Sequence, residues 1–404
     1  MKSKNPTLFL VVTSLCAFSA PVWLAAQQPE HQKPRPARYT ITDLGSLGGP
    51  YSEATYVTNN GLVSGLATLP NGTQHATLWY KALKLDLGTP GLEGKKSAGL
   101  NSTGFTVNEF AQVVGPTEIS AQEKDSENFC GFGSDLVCRA FLWQEGVMTA
   151  LPTLGGKNGS AVSINRRGQI AGVAEEPTVD SNCVAPHVLD FEAVVWGPGQ
   201  GEIHKLRPLP GDTVGIGLWI NDKGQVVGQS GSCGNTQLPP IAVGPHAVLW
   251  ENGSVTDLGN LGGKCLTPCR GAALGPLGNT ALYINNQGQV VGASALEGEK
   301  TMHAFLWTRE AGMKDLGTVK GDYASVALGI NDQGEVVGAS FDKSGVPRAF
   351  LRRDGKMIDL NTLLPANAPI HALIGEIINS RGEIAGFGVN SSGQTHGFLA
   401  TPSE

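Results

Sequence analysis

Carboxylates are unevenly spread along this chain. Glu118, Asp125, Asp135, Glu175, Glu176 and Asp180, with Glu123, Glu127 and Asp190, crowd into residues 116–138 and 173–191, and Phe129 and Phe132 stand among them. Two carboxyl groups held across a glycosidic bond can act as acid and base, so these stretches could serve a carbohydrate lyase or hydrolase. The same acids, with the two aromatic rings as contacts, could instead bind an extracellular glycan or protein without reaction. A G-x-S-x-G elbow, a phosphate-binding glycine loop and a sialidase-type Asp box are absent from the sequence.

Six cysteines fall in the same stretches or in residues 229–245 and 263–279: Cys130, Cys138, Cys183, Cys233, Cys265 and Cys269. Neither close pair has the C-x-x-C spacing of a zinc site, and no His stands at ligand distance beside them. An even count in an exported chain reads as disulfides. We expect local bridges Cys130–Cys138 and Cys265–Cys269, with Cys183–Cys233 joining equivalent loops of neighbouring repeats. No metal or cofactor is expected, and a calcium reading of the turns at Asp222 and Asp332 lacks the required run of acids.

Export itself is read from the start of the chain. Lys2 and Lys4 precede an apolar run from Leu8 to Ala20, then Pro21 and Ala25-Ala26, the layout of a signal peptide over residues 1–26. An uncleaved anchor is the alternative, although Pro21 ends the run as a helix. Residues 27–37 are polar and proline-rich, an extended tether. The mature chain has no second hydrophobic span, so it is expected outside the cytoplasm, secreted, periplasmic or on the cell surface, as a monomer. With a formal charge of −6 and no cluster of Lys and Arg, it lacks the surface that nucleic-acid binding requires.

What must position any such site is a repeat. Ile-Asn, a short turn and a Val-Val-Gly-like string recur at Ile164–Gly172, Ile220–Gly228, Ile284–Gly292, Ile330–Gly338 and Ile378–Gly386, with weaker copies around Thr58 and Asn108. After each comes a string such as His75-Ala76-Thr77-Leu78-Trp79, His246-Ala247-Val248-Leu249-Trp250 or His303-Ala304-Phe305-Leu306-Trp307, and a third ends in Asp-Leu-Gly, as at Asp86, Asp257 and Asp315. On these strings the chain resembles the bacterial extracellular HAF-repeat family, over essentially all of the expected mature sequence. The resemblance implies an exported repeat protein and no established reaction. Thr58, Ala111, Arg352 and Ala400 depart from the pattern.

Each repeat divides into four short extended runs, the content of one propeller blade. In residues 303–307 both alternating faces are apolar, so the sheet must lie between two neighbours. Residues 39–45 are a fourth run with no first three, and the last repeat lacks its fourth. Residues 38–404 are therefore expected to form an all-β, seven-bladed β-propeller of four-stranded blades, with the N-terminal strand completing the C-terminal blade and removing two sheet edges. His75, His246, His303 and His396 share one repeat position, which argues for a structural role. The long, individual loops share one face, where a propeller ordinarily binds. The expected function is a binding or interaction module on that face, with a propeller lyase or hydrolase and a structural surface component as alternatives.

Overall fold

The computed structural model describes residues 38–90, 99–123, 127–185, 187–199, 201–236, 244–263, 278–298 and 301–403. The expected signal segment and tether lie outside them. Seven antiparallel sheets of four strands form a closed ring, the β-propeller expected from the repeats. Blades 1 to 6 occupy residues 52–88, 106–150, 159–206, 214–257, 279–317 and 324–359. Blade 7 takes three strands from residues 370–403 and its outermost from Arg38–Asp43, which pairs with Thr395–Ser403. First strands touch one another around the axis, and fourth strands form the rim. Among the described residues no helix is long and apolar enough to cross a membrane.

The repeated strings have direct structural reasons. In the third strand of blade 5, Met302–Thr308, Phe305 and Trp307 pack with Val227 and Leu249 of blade 4, whereas Ala304 packs with Ala327 and Phe350 of blade 6. Alternation thus feeds two different interfaces, as the two-faced pattern required. The Gly that closes each second-strand string is needed for close approach: a Cβ on Gly292 would lie 2.0 Å from the Thr280 carbonyl oxygen and 3.0 Å from the Phe305 ring. In the turn after the first strand, Asn221 Oδ1 accepts from the N–H groups of Lys223 and Gln225, and Gly224 takes φ +82°. Blade 2 places Ala111 in that position at φ +59°.

The structure corrects the extent of two loops. Strand runs into both ends of residues 116–138 and 173–191, because the second and third strands of blades 2 and 3 continue as Val113–Gln122 with Leu136–Gln144 and as Ile170–Val179 with Leu189–Trp196. A register slip between Glu118 and Gln122, and another between Glu175 and Val179, lets the pairing continue outward. Disulfides join Cys130 to Cys138 within blade 2 and Cys183 to Cys233 between blades 3 and 4. Cys265 and Cys269 lie outside the described residues.

Candidate functional site

The first strand of nearly every blade carries a β-bulge three residues before the turn Asn or its equivalent. Pairing slips past Thr55, Val162, Leu218, Leu282, Leu328 and Glu376. A bulge leaves one residue unpaired and re-aims its side chain. Here the unpaired residues, with Phe105 of blade 2, line an axial cavity of about 230 Å³. Five of those seven are Phe, Val or Leu, so Glu376 stands as the ionisable member of an apolar ring. Glu53, two residues before the bulge of blade 1, joins it in the same wall. Apart from Phe105, which just precedes one, its lining residues lie within the first strands, before the turns that follow them.

Burial acts on both acids. Burial pushes Glu376 up to about 8, and the charge of Glu53 adds to the shift. Glu53 is also raised by burial, but the Tyr51 hydroxyl donates a hydrogen bond to Glu53 Oε1 and opposes that shift. At neutral pH the Glu376 carboxyl is therefore protonated and can donate a hydrogen bond, while Glu53 Oε1 accepts from the Tyr51 hydroxyl. The floor is aromatic: Trp219 lies 4.1 Å from the Tyr283 ring and 5.4 Å from that of Tyr56, centroid to centroid. Trp219 and Tyr283 also line a polar cavity of about 310 Å³ on the opposite face. Apolar walls, an aromatic floor and two buried carboxyl groups, of which Glu376 is protonated at neutral pH, could hold a hydroxyl-bearing group or exchange a proton with it.

Two of the loop acids serve the hairpins. Glu118 is buried, and its carboxylate accepts from Asn101 N at 2.7 Å, from Asn101 Nδ2 at 2.8 Å and from the Ser134 hydroxyl. Glu175, also buried, accepts from the N–H groups of Lys157 and Asn158 and from Asn158 Nδ2. Its carboxyl is pushed up to about 8, by burial first and then by the neighbouring Glu127. Phe129 is core, edge-on to Phe191. These three leave little for a ligand. Phe132 is half-buried, Asp135 exposed, and Glu176 and Asp180 are partly exposed. Asp125 lies outside the described residues.

The repeated histidines have a structural task. His75, His246, His303 and His396 each meet an Asp of the fourth strand, at 2.7 Å from Asp86, 3.3 Å from Asp257, 2.9 Å from Asp315 and 2.8 Å from Asp43. Asp43 belongs to the N-terminal strand, so the last of these pairs helps close the ring. In blade 3 the charges are exchanged, with Glu192 2.6 Å from Lys205.

Reading the sequence missed Glu53 and Glu376. A signal for Glu376 exists: superposing the repeats on the turn Asn places it where the other copies have Phe, Val, Leu or Thr.

No protein-family model matches the chain, and no curated protein matches it in sequence. Solved structures resemble it in fold. A mutant of AofleA from Arthrobotrys oligospora is 13% identical, with 91% of this chain and 93% of that one covered and a TM-score of 0.36. A puromycin hydrolase mutant is 12% identical at a TM-score of 0.45, with 90% of this chain covering 51% of that one. An Aleuria aurantia lectin mutant in complex with Fucα1-6GlcNAc is 8% identical, with 88% and 93% covered and a TM-score of 0.35. Likeness at this level says nothing about ligands.

Proposed function

We propose that this chain is an exported HAF-repeat propeller that binds a terminal sugar of an extracellular glycan in its axial cavity. The carrying observation is the bulge ring, which turns Glu376 into an otherwise apolar wall beside Glu53. A protonated carboxyl donor, a second carboxyl group beside it and an aromatic floor match the alternating hydroxyl and C–H surfaces of a sugar. Two disulfides support export, since such bonds persist in oxidising compartments.

The test is a panel of oligosaccharides and polysaccharides offered to the purified chain, with binding and product release measured on the same samples. Saturable binding without product supports the binding module. A second reading, a propeller lyase or hydrolase, draws on the same two carboxyl groups as acid and base. Product release that is lost in Glu376→Gln while binding remains would establish it. No binding across the panel would leave a structural surface component as the better account.

A further inference from the structure

The first position of the third-strand string is His in four blades, Arg in two and Glu192 in blade 3. Its partner there is Lys205, so a simple exchange of charge would be complete with one acid and one base. Blade 3 holds more acid than that. Lys205 Nζ also lies 3.0 Å from Glu176 Oε1, and one carboxylate oxygen from each of Glu176, Asp190 and Glu192 lies within 4.8 Å of the others. Two oxygens bound to one calcium ion at ~2.3–2.6 Å can stand no more than about 5 Å apart, so this spacing admits a shared ion.

A second observation points to a ligand. The Glu192 side chain is only 3% exposed, and its Oε2 is buried with no hydrogen-bond partner. A bare carboxylate oxygen in the interior is costly unless a cation or donor meets it. Lys205 engages the other oxygen, Oε1, and its side chain is 38% exposed on a flexible stem that can turn to solvent.

We propose that Glu176, Asp190 and Glu192 form a calcium site where the long second and third strands of blade 3 meet its rim, with Lys205 as a competing occupant. All-oxygen, all-anionic donors select a hard cation, and calcium's irregular geometry suits carboxylates from separate strand positions better than the strict octahedron of magnesium. The site is independent of the axial cavity. It would brace the hairpin that also carries Cys183.

The experiment is calorimetric titration of the chelator-treated full chain with calcium chloride, repeated with magnesium chloride. The expected result is saturable binding of one calcium ion and a higher melting temperature. Glu192→Gln should abolish binding. Should that variant fail to fold, the more exposed Glu176→Gln should weaken binding roughly tenfold or more. Lys205→Met should bind more tightly than the wild type, because the competing ammonium is gone. Absence of saturable calcium binding in both the wild type and Lys205→Met would overturn the proposal. So would unchanged binding in the two acid variants, or magnesium binding as tight as calcium.

Discussion

The Asn379 side-chain amide donates to the Thr58 carbonyl oxygen at 3.1 Å, across 321 positions of sequence. It is the last link of a chain in which Asn108 reaches Asn165, Asn165 reaches Asn221, Asn221 reaches Asn285, Asn285 reaches Asn331 and Asn331 reaches Asn379, each Nδ2 donating to the next blade's carbonyl. The Oδ1 of the same residues caps the turn, so one side chain serves blade and ring together. Thr58 cannot donate in this way. At that seam the Asn59 N–H donates to Glu109 Oε1 and Asn60 Nδ2 to the Glu109 carbonyl.

Closure also depends on Arg38–Asp43, which supplies a strand to blade 7 and Asp43 to His396. Deleting residues 27–45 should lower the melting temperature far more than deleting 27–37. Thermal denaturation of the two truncations checks this, and equal melting temperatures would refute it.

Ala111 holds φ +59° where every other blade has Gly. An L-residue in that region is strained, and glycine is not. Ala111→Gly should therefore stabilise the protein by about 1 kcal/mol in reversible denaturation, an uncommon sign for a substitution to glycine.

The Cys183–Cys233 bridge closes a span of 50 residues, against 8 for Cys130–Cys138. On loop entropy, replacing the first pair by Ser should cost about 4 kcal/mol and the second clearly less. Denaturant midpoints of the two double variants test the ranking.

Much of this fold was legible because its repeats are strict. Asn and Gly mark each turn, alternation at residues 303–307 shows two buried faces, and the unmatched runs at both ends show closure. The axial acids were not legible from alternation. A bulge breaks the period of two within the first strand, so counting along it assigns Glu376 to the wrong face. The buried partners of Glu118 and Glu175 were not legible for a different reason. A carboxylate at a register slip can be consumed by nearby N–H and hydroxyl donors, as Glu118 and Glu175 are, and sequence does not reveal which donors will be near.

Stability should report the state of Glu376. Its folded value, about 8, lies above the ordinary 4.5, so the folded state holds a proton that the unfolded chain releases between those values. Stability is therefore undiminished below pH 4.5 and lost progressively as pH rises through about 8. Glu376→Gln removes that loss. The variant should match the wild type at low pH and exceed it by at most roughly 5 kcal/mol above the folded value.

The most direct test of the axial site is the affinity of the tightest oligosaccharide from the panel, measured from about pH 6 to about pH 9.5 for the wild type, Glu376→Gln and Glu376→Leu. If the protonated Glu376 carboxyl donates to the ligand, wild-type affinity falls as pH passes about 8. Glu376→Gln keeps a neutral donor, so it should bind at all these pH values without that fall, and Glu376→Leu should lose roughly tenfold or more. Equal affinity in all three proteins, with the same pH profile, would contradict binding in the axial cavity.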